Sequence, residues 1–107
     1  MQINPWLILF IAGLFETCWA VGLKNSDGFR HLGWSVFTAI TLGLSMWLLA
    51  VAVRTLPLGT AYAVWTGIGA TGAAILGIFI FNEPAALPRL FCLLLIVSGI
   101  VGLKWLN

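Results

Sequence analysis

The chain has 107 residues, 62% of them hydrophobic and 7% charged, with a formal net charge of +2. Ordinary soluble domains are about 25% charged, and so few charges cannot cover a water-soluble fold of this size. The positive excess is too small and too scattered to suggest nucleic acid as a partner, and the length points to one folding unit.

Four runs fit a bilayer, which a helix crosses in about 20 mostly apolar residues. They cover residues 3–23, 32–53, 58–81 and 87–106. The joins at 24–31, 54–57 and 82–84 read as short turns, the first containing Ser26, Asp27 and Gly28. Only helices or closed barrels satisfy backbone groups in lipid, and these runs are too long and too evenly apolar for barrel strands. The expected fold is an all-α membrane protein, a single four-helix transmembrane domain over 1–107 that runs up, down, up, down.

The first run is not a secretory signal peptide. It lacks a basic leading segment and a small-residue cleavage site, and it contains Glu16. A carboxylate at that depth is costly and by default functional. The bland readings are a buried ion pair, for which the spans offer no partner, and a permanently neutral carboxyl that packs like an amide. Helical spacing puts Ala12, Gly13, Trp19 and Ala20 on the face of Glu16. The small residues, Gly13 among them, leave access to the carboxylate. Trp19 can donate its indole N–H or stack on a flat cation.

In the second run Ser45 lies well inside, beside Met46 and Trp47. In the third, Tyr62 and Trp65 share a face, and Trp65 lies about 10 Å inside the span by helix rise. Interface anchoring explains Trp6, Trp34 and Trp105 but suits Trp65 less well, for which core packing is the plain alternative. Small residues mark close helix contacts: Gly59, Ala63, Gly67, Gly69, Gly72, Ala73 and Gly77 in the third run, Ser98, Gly99 and Gly102 in the fourth. Gly67 and Gly69 also lower helix propensity locally and allow a bend. Cys18 and Cys92 have no neighbouring Cys or His for a metal site and read as small packing residues.

Lysine and arginine in short loops set orientation. With the N-terminus on one side, that side receives Arg54 and Lys104, and the other receives Lys24, Arg30 and Arg89. So even a split allows insertion both ways round, and VGLK closes two helices that exit on opposite sides, at 21–24 and 101–104. A four-helix chain this small does not easily enclose an aqueous cavity alone, so oligomerisation is expected. A mid-membrane carboxylate with aromatic walls describes a cation site. No nucleophile–base pair, phosphate loop, cofactor motif or metal cluster accompanies it, so enzyme chemistry has no footing.

The stretches AGLFETCWAVGLK, LPLGTAYAVWTGIGATGAAILGIFIFNEP and SGIVGLK resemble the small multidrug resistance family of bacterial proton-coupled exporters, and the resemblance covers the whole chain. E-x-x-W-A in the first span and WTGIG in the third look like its guanidinium-exporter subtype. The resemblance implies an antiparallel homodimer of dual-topology chains in the bacterial inner membrane, without a cofactor. It implies that Glu16 binds substrate and protons in competition, with Trp19 and Ser45 as its hydrogen-bond partners and Tyr62 and Trp65 lining the site. It matches Lys104 to a family lysine of unassigned role. On the fourth helix the small pair that packs dimers in the multidrug subtype reads Cys92 and Gly99. In such a dimer two Glu16 carboxylates face one cavity and titrate as a unit. The rival readings are a broader exporter of quaternary ammonium or aromatic cations, a non-transporting accessory subunit, and a cation channel.

Overall fold

Asn4 starts the first helix. Its side-chain oxygen accepts the Trp6 backbone N–H at 2.9 Å, and Pro5, which has no N–H to leave unpaired, fills the first turn. In the computed structural model, which describes residues 4–106, four helices follow: α1 (Pro5–Asn25), α2 (Leu32–Ala52), α3 (Leu58–Ile80) and α4 (Leu87–Leu106). Each is long and apolar enough to cross a membrane. The expected start of the first span, Ile3, lies outside the described residues. The first helix runs past the expected Leu23 to Asn25 because Ser26 caps it. The Ser26 backbone N–H donates to the Gly22 carbonyl at 2.8 Å, and its hydroxyl donates to the Leu23 carbonyl at 2.7 Å.

The turn after α1 reverses through three successive left-handed residues, Asp27, Gly28 and Phe29, with φ of 50°, 70° and 67°. Glycine adopts that region freely, whereas a bulky residue such as Phe29 does not. Local bonds hold it there: Phe29 N–H donates to the Ser26 hydroxyl at 3.1 Å, and the Ser26 carbonyl accepts from Arg30 and His31. The turn after α3 is likewise built. Asn82 is left-handed at φ 55°, and Glu83 returns its N–H to the Gly77 carbonyl at 3.1 Å. The Glu83 carboxylate fills the space above Gly77 and receives Arg89 at 2.8 Å.

The first helix is the hub of the bundle. It packs along both α2 and α3, α2 and α3 barely touch, and the backbone of α4 comes close to that of α3 alone. Lipid removes the hydrophobic drive between helices, so close backbone approach through small residues must replace it. Glycines supply that approach. A Cβ on Gly22 would lie 2.7 Å from Phe37 of α2, and one on Gly13 would lie 2.7 Å from the Ile68 Cβ of α3. A Cβ on Gly67 would lie 2.9 Å from Ile100 of α4.

The second helix buries Thr38, Thr41, Ser45, Leu49 and Ala52, residues three or four apart that form one face. The two threonines satisfy their hydroxyls on their own helix, at the Trp34 and Phe37 carbonyls. No described residue of α4 is buried. Cys92 is exposed, and a Cβ on Gly99 would meet nothing within 4 Å.

Candidate functional site

Glu16 sits in the middle of α1 and is half-buried. Its carboxylate lies against the α3 backbone at Gly69. A Cβ there would come 2.5 Å from Glu16 Cδ and 2.8 Å from Cγ, and would overlap Oε2. Only glycine leaves room for this group. Oε2 is buried and has no hydrogen-bond partner among the described residues, and Trp19 Nε1, on the next turn of the same face, is in the same condition. An unpaired buried polar group costs ~1–3 kcal/mol. The Glu16 oxygen is an open acceptor that a ligand with N–H donors relieves, and the Trp19 N–H beside it is an open donor that needs an acceptor.

Thr17 fixes this stretch against α3. Its hydroxyl is shared between the Gly13 carbonyl at 3.2 Å and the Gly69 carbonyl at 3.3 Å. A Cβ on Gly72 would overlap the Thr17 hydroxyl. Glu16 and Thr17 are thus keyed into two glycines nearly one turn apart on α3. Sequence reading passed over Thr17. Its signal was a hydroxyl beside the one carboxylate of an apolar span.

Ser45 ties three helices together. Its hydroxyl donates to the Ala12 carbonyl of α1 at 2.7 Å and accepts from Trp65 Nε1 of α3 at 2.9 Å. With its single proton on Ala12, Ser45 does not donate to Glu16 in this conformation, although Ala12 lies only one turn before Glu16. Trp65 and Tyr62 also part company. Their ring centroids are 5.6 Å apart with planes at 46°, but Trp65 is 6% exposed and Tyr62 55%. Trp65 therefore locks the helices together, and Tyr62 faces out of the chain. Gly67 and Gly69 both serve close packing, on α4 and on Glu16 respectively, within an unbroken α3. Cys92 and Gly99 lie on the uncovered side of α4, away from this cluster.

The Small Multidrug Resistance protein family matches residues 4–96 of the chain. This chain belongs to that family. Among its relatives in the family, a protein named "Guanidinium exporter" from Yersinia pseudotuberculosis serotype I (strain IP32953) is 57% identical over 92% of this chain and 95% of its own length. Proteins of the same name from Salmonella typhimurium (strain LT2) and Proteus vulgaris are 58% and 54% identical over 92% of this chain. They are covered over 94% and 95% of their lengths. Four apolar helices in a small multidrug resistance protein make the chain a multi-pass protein of the bacterial inner membrane.

Proposed function

We propose that the chain exports guanidinium and small guanidinyl compounds in exchange for protons, both bound in turn by Glu16. The observation that carries the reading is the lodging of Glu16. It is the single carboxylate in the four helices, held on the Gly69 backbone with one buried oxygen unpaired among the described residues. The similarity to proteins named guanidinium exporters supports the choice of cation. Guanidinium is flat, singly charged and presents paired N–H donors that meet a carboxylate bidentately. A proton and guanidinium neutralise the same oxygens, so binding one releases the other. Exchange follows if the empty, charged site does not change sides.

The working unit in this reading is a dimer of oppositely oriented chains. The near-even split of Lys and Arg between the two sides supports it. So do the outward Tyr62, the half-buried Glu16 and a fourth helix with no buried described residue, which give a second copy something to complete. Cys92 and Gly99 are the small residues at which two α4 helices would pack. The test is guanidinium uptake into proteoliposomes with an acidic interior. Uptake should follow the imposed pH gradient and exceed that of a bulky aromatic cation. Uptake indifferent to the gradient would refute exchange, and preference for the aromatic cation would favour a broader multidrug exporter.

A further inference from the structure

A groove of about 510 Å³ opens between α1, α3 and α4, far from the charged turn at Glu83. Phe10, Val64, Ile68 and Ile100 line its floor and sides, and Trp6, Lys104 and Trp105 stand at its mouth. The volume falls in the range of small-molecule sites. The mouth is at the end of the bundle where α1 and α3 begin and α4 finishes. Two tryptophans at that level mark the headgroup depth of a bilayer. The floor at Ile68 reaches toward the membrane interior, where Ile68 packs on Gly13 of α1.

Lys104 is the single charge on this wall. Its Nζ lies 5.2 Å from the Trp6 ring centroid, which holds the ammonium at the mouth by cation–π attraction. Among the described residues no carboxylate pairs with it, and the one ion pair there is Glu83–Arg89. The other acidic side chain outside the helices among the described residues, Asp27, belongs to the turn at the opposite end. An apolar slot with a fixed cation at headgroup depth is complementary to one kind of neighbour. We propose that the groove binds an anionic phospholipid, one acyl chain lying over Val64 and Ile68 and the phosphate on Lys104. Basic pockets between membrane helices take anionic headgroups in this way. Guanidinium is repelled by the same lysine, so the groove is distinct from the Glu16 site and its occupant does not depend on the transport reading.

The test uses the full chain in phosphatidylcholine vesicles containing a fixed fraction of brominated lipid, either phosphatidylglycerol or phosphatidylcholine. Bromine on the acyl chain quenches nearby tryptophan, and the part due to Trp6 is obtained by difference from Trp6→Phe. The brominated phosphatidylglycerol should be enriched at Trp6 about fivefold over its mole fraction, the effect expected of one lysine at an anionic surface. Lys104→Gln should abolish that enrichment and Lys104→Arg should keep it, with helix content checked by circular dichroism for both. Equal quenching by the two lipids would overturn the proposal, as would enrichment that survives in Lys104→Gln. Absence of Trp6 quenching by either lipid would mean that a second copy of the chain covers the groove, which also overturns it.

Discussion

Replacing Gly69 by alanine acts on Glu16 directly. The added methyl would stand where the carboxylate now lies, 2.5 Å from Cδ and 2.8 Å from Cγ, so the carboxylate must leave the α3 backbone. The far end of a glutamate swings easily, and alanine favours helix over glycine by ~1 kcal/mol. Folding stability should therefore change by less than ~1 kcal/mol, the overlap and the propensity gain opposing each other. Binding should suffer far more. A misplaced carboxylate loses charge-assisted hydrogen bonds worth ~1.5–3 kcal/mol, which is roughly 10- to 150-fold in guanidinium affinity. Gly13→Ala supplies the contrast. Its methyl meets the Ile68 Cβ at 2.7 Å, and a branched carbon near the backbone cannot swing aside, so stability should fall by ~1–3 kcal/mol. Gly43, whose Cβ would meet nothing within 4 Å, is the neutral control. The assay is guanidinium binding by isothermal titration, paired with thermal unfolding of each variant in detergent. Shortening the acid relieves the overlap, so Gly69→Ala should cost less in a Glu16→Asp background than alone. An unchanged affinity for Gly69→Ala, or an equal loss in both backgrounds, would refute the lodging of Glu16 on Gly69.

Ser45→Ala leaves Trp65 Nε1 and the Ala12 carbonyl without Ser45, and thermal unfolding should register a loss of ~1–2 kcal/mol. Trp65→Phe should lose a similar amount, and the double variant less than the sum, because both remove one network. If Trp19 and Ser45 orient Glu16 during binding, Trp19→Phe and Ser45→Ala should weaken guanidinium by roughly 10-fold or more and an aromatic quaternary ammonium by less. Equal losses for the two cations would deny them a part in selectivity. Adding two lysines to one end should force a single orientation and cut uptake, and mixing oppositely biased variants should restore it. Full activity of one forced orientation alone would contradict the antiparallel dimer.

The helices and the central carboxylate were legible because both are one-dimensional signals. About twenty apolar residues specify a span wherever it ends up, and one charge inside such a run stands out without knowledge of its neighbours. Ala12 and Gly13 could be placed beside Glu16 for the same reason, since helical spacing decides which residues share a face. Spacing does not say which other helix meets that face. Gly69 reads in sequence as a weak point of α3, and only the packing reveals that it makes room for Glu16. Ser45 and Trp65 stand out in sequence as polar and aromatic residues at unusual depth, and both are buried. Their partners, the Ala12 carbonyl and each other, depend on how α1 sits between α2 and α3. Tyr62 was expected to share the lining with Trp65, yet adjacent turns of one helix diverge once a neighbour covers one and not the other. The peripheral place of α4 had no signal at all, because its apolar residues face in every direction.

Exchange at Glu16 is tested most directly by following protons driven by guanidinium. Vesicles holding the protein and a pH-sensitive dye are loaded with guanidinium at equal pH inside and out, then diluted into guanidinium-free buffer. Outward guanidinium should draw protons in and acidify the interior, and Glu16→Gln, folded and inserted, should show neither flux. Guanidinium efflux without acidification would contradict exchange, and acidification that persists in Glu16→Gln would show that protons travel by a route that does not involve Glu16.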